Sequence, residues 1–106
     1  MLIEINTDNY IEGNERMQAY FTGVLEEAFK RFEERIIRIE MQLGDENAGK
    51  EGNNDKRCML EARINGLKNV AVVNHADDLD KAVKGAIDKL KHALEHTFGK
   101  LQSNHR

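Results

Sequence analysis

Ile37-Arg38-Ile39-Glu40-Met41-Gln42-Leu43 places apolar residues at every second position, and it follows a stretch with a different period. Over residues 14–35 the apolar positions Met17, Phe21, Val24, Leu25, Ala28 and Phe32 are spaced by four, three, one, three and four, and Phe29 widens the same stripe. That is one face of a helix. The change from a period near 3.6 to a period of 2 predicts a helix over 14–35 and then a strand over 37–43 with Ile37, Ile39, Met41 and Leu43 on its apolar side. Asn14, after Gly13, is the expected N-cap, because its side chain can accept from a free helix-start amide. Gly23 inside the helix lowers its stability by up to about 1 kcal/mol relative to Ala.

Toward the N-terminus, residues 2–6 alternate weakly around Ile3 and Ile5 and read as a short strand, followed by a turn at Thr7-Asp8-Asn9. In the other direction, residues 44–55 offer little to bury and read as a flexible loop. Cys58, Leu60, Ala62 and Ile64 alternate with Arg57, Met59, Glu61 and Arg63, a third strand. Asn65-Gly66 starts a tight connection to a short fourth strand at Val70-Ala71-Val72-Val73. Asp77, Asp78 and Asp80 crowd the start of a last helix, where carboxylates oppose the positive end of the helix dipole. Leu79, Val83, Ala86, Ile87, Leu90, Leu94, Phe98 and Leu101 form its apolar stripe.

The order is β-α-β-β-β-α, an α+β chain. A crossover helix makes strands one and two parallel neighbours, and short links make strands two, three and four an antiparallel meander. Each helix has one apolar stripe, so the expected architecture is a four-stranded sheet with both helices packed on one face. The other sheet face then exposes Arg38, Glu40, Arg57, Glu61 and Arg63 to water. It has no aromatic residue there to stack on a nucleobase.

The chain has 106 residues, enough for one domain. We expect that domain over 1–102 and a frayed tail at 103–106. A single cysteine, Cys58, excludes an intrachain disulfide. The start, Met-Leu-Ile-Glu-Ile-Asn, lacks the basic flank and apolar run of a secretory signal, and no segment reaches the length of about 20 apolar residues that spans a bilayer. A soluble, cytoplasmic protein is expected. The net charge of −3 does not favour a polyanion binder, so any such role must rest on where the charges lie.

The segment Asp77-Asp78-Leu79-Asp80-Lys81-Ala82-Val83-Lys84-Gly85-Ala86-Ile87-Asp88-Lys89-Leu90 resembles the ribosome hibernation-promoting factor family, which includes ribosome-associated inhibitor A. Glu61-Ala62-Arg63-Ile64-Asn65, with Val70-Ala71-Val72 after a short turn, resembles it too, as does Ile3-Glu4-Ile5 with Ile11. The likeness spans nearly the whole chain and fits the short, single-domain type. It implies binding to the small ribosomal subunit, in the channel for messenger and transfer RNA, and repression of translation during stress or slow growth. It also implies that basic residues of the two helices contact ribosomal RNA. Here those are Lys30 and Arg31 near the end of the first helix, with Arg35 extending them, and Lys81, Lys84, Lys89, Lys91, His92 and Lys100 on the last helix. Lys89 falls on the lysine of the family's Asp-Lys-Leu segment. Lysines on phosphate give sequence-independent, salt-dependent binding. The first helix departs from the pattern in its Glu26, Glu27, Glu33 and Glu34, and the 44–55 loop is long and acidic. These favour the alternative, a protein-interaction module that uses the acidic helix and loop.

Other patterns carry less. His92-Ala93-Leu94-Glu95-His96 spells H-x-x-E-H, but no third protein ligand for a catalytic zinc follows and Leu94 belongs to the core stripe. Asp45, Asn47 and Gly49 hint at a calcium loop, yet Lys50 and Lys56 stand where its glycine and its bidentate glutamate belong. Cys58 lies on the apolar side of its strand with no base near in sequence. We expect no catalysis, cofactor or metal.

Overall fold

The structure, a computed structural model, describes residues 1–46 and 55–103, with side chains up to Gly99. It contains β1 (Leu2–Thr7), α1 (Glu15–Ala28), a 3-10 turn (Lys30–Phe32), β2 (Ile36–Asp45), β3 (Lys56–Ile64), β4 (Val70–Ala76) and α2 (Leu79–Ser103). The sheet order is β1-β2-β3-β4. β1 runs parallel to β2, with Ile3 opposite Ile39 and Ile5 opposite Met41. β2–β3 and β3–β4 are antiparallel. The expected α+β architecture, with its crossover and its meander, is therefore the one observed.

Both helices cover one face. Phe21, Leu25, Phe29 and Phe32 from the first helical region and Ala82, Val83, Ala86, Ile87, Leu90, Leu94 and Phe98 from α2 meet Ile39, Met41, Leu43, Cys58, Leu60, Ala62 and Ile64 in one core. Each strand supplies alternate residues, as the period-2 pattern requires. The Asn14 side chain caps α1 by accepting from Met17 N at 2.8 Å, and Asp78 caps α2 by accepting from Lys81 N at 2.8 Å. Gly66, at φ 77°, makes the turn between β3 and β4.

Four expectations are corrected. The first helix does not reach residue 35: it stops at Ala28, and the chain descends through bonds from Phe32 N to Phe29 O and from Arg35 N to Phe32 O. These tighter i→i+3 turns still bury Phe29 and Phe32 and deliver the β-branched Ile36 to the sheet. Ile37 is not inward. A bulge between Ile36 and Arg38 shifts the register, so Ile36 is 3% exposed and Ile37 45%. The 44–55 loop is shorter than expected: Gly44 and Asp45 extend β2, and Glu46 N bonds to Asp55 O at 2.8 Å. Asp45 can be buried because the Lys56 ammonium lies 3.3 Å from both it and Asp55. Residues 47–54, with Asn47, Gly49 and Lys50 of the calcium-loop pattern, lie outside the described residues. Finally, β4 does not end at Val73 but continues to Ala76, and α2 follows over Leu79–Ser103. Residues 104–106 lie outside the description.

Candidate nucleic-acid interface

The molecule offers two broad faces, and their charges differ. On the open sheet face, Glu4, Glu40 and Glu61 stand in one cross-strand row beside a row holding Arg38 and Arg63. Arg38 reaches Glu4 at 3.6 Å and Glu40 at 3.7 Å. Arg57 lies 3.6 Å and His75 3.0 Å from Glu46. This face largely neutralises itself.

The helical face is different. The apolar stripe of α2 points at the sheet, so helical geometry turns Lys81, Lys84, Asp88, His92 and Glu95 toward solvent. The two helices run side by side in the same direction. Met17, Tyr20 and Phe21 of α1 line a cleft of about 450 Å³ with Asp78, Leu79 and Asp80 at the start of α2. At the other end, Arg31 of the 3-10 turn forms an ion pair with Glu95 of α2. Phe32 packs against Phe98 with ring centroids 5.5 Å apart, and the Arg35 guanidinium lies 4.6 Å over the Phe98 ring.

These contacts sort the nine candidate cations. Lys84, Lys91 and Glu95 recur at intervals of seven and four, so they share the α2 flank that faces the 3-10 turn. Lys84 and Lys91 are two turns apart, about 10 Å. Arg31 and Arg35 close the patch from the other side, and Lys30 is exposed on the same 3-10 turn without a polar contact to α2 among the described residues. Lys81 and His92, three turns apart, lie on the outer crest. His92 Nδ1 donates to Asp88 O at 2.8 Å, which leaves Nε2 facing outward. Lys89 stands apart on the opposite flank, where its ammonium donates to the Val73 carbonyl of β4 at 2.8 Å. The Lys100 side chain lies outside the described residues.

The sequence reading missed Glu95 as a partner of Arg31, and Phe98 as the platform for Arg35. Both contacts join residues more than sixty positions apart, and no local spacing signals them. The H-x-x-E-H pattern dissolves in the same geometry, because Glu95 is turned to Arg31 and His92 to Asp88 O.

Two groups elsewhere have altered acidity. Burial pushes the Cys58 thiol up to about 12, with Arg57 pulling weakly the other way. For Lys56, desolvation is the largest influence and lowers its pKa. Hydrogen bonds and charge from Asp55 and Asp45 together outweigh it and hold the ammonium above its usual range.

A four-stranded mixed sheet with two helices on one face defines a small α+β domain, and no group of three or more His, Cys, Asp or Glu side chains among the described residues is placed to hold a metal ion. The chain belongs to the Sigma 54 modulation protein / S30EA ribosomal protein family, whose model matches residues 3–102. This is the family that the sequence resemblance indicated. No curated protein sequence matches it. Among solved structures it is similar to the N-terminal domain of Protein Y from Thermus thermophilus, at 18% identity and a TM-score of 0.72 over 92% of this chain and 99% of that one. It is also similar to a ribosomal subunit interface protein from Coxiella burnetii, at 15% identity and a TM-score of 0.72 over 93% and 99%. At these identities the likeness establishes the fold. No helix among the described residues is long and apolar enough to cross a membrane.

Proposed function

We propose that this protein is a cytoplasmic translation repressor that docks its helical face on the RNA of the small ribosomal subunit, in the channel for messenger and transfer RNA, under stress or slow growth. Family membership supports a ribosomal partner. The observation that carries the surface is the placing of Arg31 and Arg35 against the α2 flank that bears Lys84 and Lys91, opposite a sheet face on which Arg38, Arg57 and His75 are paired with Glu4, Glu40 and Glu46. Lysine and arginine there take phosphate oxygens and shape, since the face presents few aromatic rings. One domain over 1–102 suffices, with no cofactor or metal.

The test is co-sedimentation with purified small ribosomal subunits across a salt series. Contact with about four phosphates weakens binding on the order of fifty-fold between 50 and 200 mM salt. Lys84→Glu with Lys91→Glu is expected to abolish pelleting. If the folded protein fails to pellet at low salt, the ribosome reading falls, and the exposed Glu26, Glu27, Glu33 and Glu34 direct the search to a basic protein partner.

A further inference from the structure

Glu95 lies within the cationic patch and has its own partner there. Its carboxylate holds the Arg31 guanidinium, which also stacks over the Phe32 ring at 4.4 Å. The side chains are 60% and 48% exposed, so solvent and large anions can reach both. We propose that Glu95 is an internal competitor for RNA phosphate at Arg31, and so sets how tightly the patch binds; this rests on the ribosome-binding reading above.

The carboxylate stands in the free protein where a phosphate would stand in the complex. Ring stacking and ion pair keep the guanidinium extended toward α2 rather than free in water. An exposed pair of this kind contributes little to stability, so a phosphate, whose non-bridging oxygens can take two guanidinium N–H groups, displaces it readily. Displacement leaves the Glu95 charge next to the incoming phosphate and one turn from Lys91, where it opposes binding. Glu95 thus both orients Arg31 and limits the gain from it. The acidic residues of the open sheet face lie across the sheet from this patch and have no such access.

The experiment measures the affinity of wild type, Glu95→Gln, Arg31→Ala and the double variant for purified small ribosomal subunits at 50 mM salt. Glu95→Gln is expected to tighten binding about two- to five-fold, the range of one exposed ion pair. In the Arg31→Ala background the same change is expected to give no gain. Glu61→Gln, on the sheet face, serves as the charge control and is expected to leave affinity unchanged. Glu95→Ala and a thermal melt of each variant separate a charge effect from loss of fold. Binding by wild type with no gain from Glu95→Gln overturns the proposal and leaves ribosome binding intact. An equal gain with and without Arg31 also overturns it, because Glu95 would then act as a general repellent. No binding by wild type removes both readings.

Discussion

The Lys89 ammonium donates to the carbonyl oxygen of Val73 at 2.8 Å, tying α2 to the outer edge of the sheet. β4 is an edge strand, and a lysine held on one of its carbonyls places a charge there that opposes pairing with another chain. The same bond takes Lys89 away from the flank that carries Lys84 and Lys91. Lys89→Ala is therefore expected to weaken small-subunit binding by less than about two-fold, and Lys84→Ala by several-fold, a contrast read in one sedimentation series. Equal losses would show that both flanks of α2 meet RNA.

Two helical glycines with the same sequence cue have opposite expected outcomes. Nothing lies within 4 Å of a Cβ built on Gly23, so Gly23→Ala is expected to raise stability by about 0.5–1 kcal/mol through helix propensity. A Cβ on Gly85 meets Asn74 Nδ2 at 2.1 Å and Cγ at 2.6 Å. That amide donates to Ala82 O at 3.1 Å, linking β4 to α2. Gly85→Ala is expected to lower stability by about 1–2 kcal/mol, as overpacking does. Adding Asn74→Ala should recover part of the loss. Urea unfolding of the three variants against wild type checks the signs.

Phe98 joins the end of the first helical region to α2, packed on Phe32 and covered by Arg35. Phe98→Ala is expected to destabilise the fold by about 3 kcal/mol. It also removes the surface that orders Arg35, so small-subunit affinity should fall even at temperatures where the variant is folded. Affinity equal to wild type would show that the position of Arg35 is irrelevant to binding.

Cys58 links stability to alkaline pH. Its thiol rises from an ordinary value of 9.0 to about 12 on folding, chiefly through desolvation. Below pH 9 it is neutral in both states and favours neither. Between 9 and 12 only the unfolded chain ionises, so stability falls by about 1.4 kcal/mol per pH unit. Cys58→Ala should show a flatter profile over that window, with the two curves about 1.4 kcal/mol closer at pH 10 than at pH 8. Parallel curves would mean that the thiol is not desolvated. Thiol reagents at pH 8 should react with the unfolded protein and scarcely with the native one.

Much of this architecture is legible in residue order. The alternations through Ile39-Met41-Leu43 and Cys58-Leu60-Ala62-Ile64, set between two helical stripes, leave few arrangements other than a crossover and a meander. The bulge at Ile36–Arg38 is not legible, because Ile36 and Ile37 are both suited to the inward position and only the pairing of Ile36 with Ile64 decides between them. The end of α1 at Ala28 is equally silent, since neither glycine nor proline marks it. The buried Asp45 reads as loop until Lys56 is brought beside it from the next strand. For the candidate interface, the lysines of α2 can be picked out by type. Which of them share a flank with Arg31 depends on the helix pair, and helix spacing alone does not pair helices.

The parallel pairing of β1 with β2 has a consequence for how the chain assembles. Leu2 meets Arg38 and Thr7 meets Leu43, so the first strand finds its neighbour only after the whole crossover has been laid down. The β2–β3–β4 hairpins close over shorter distances in sequence, and shorter closures come earlier. Ile3→Val is therefore expected to act on the unfolding rate and Ile64→Val on the folding rate, as a pair of chevron plots would show. In a chain synthesised from its N-terminus, the strand made first is the one that waits longest for its place.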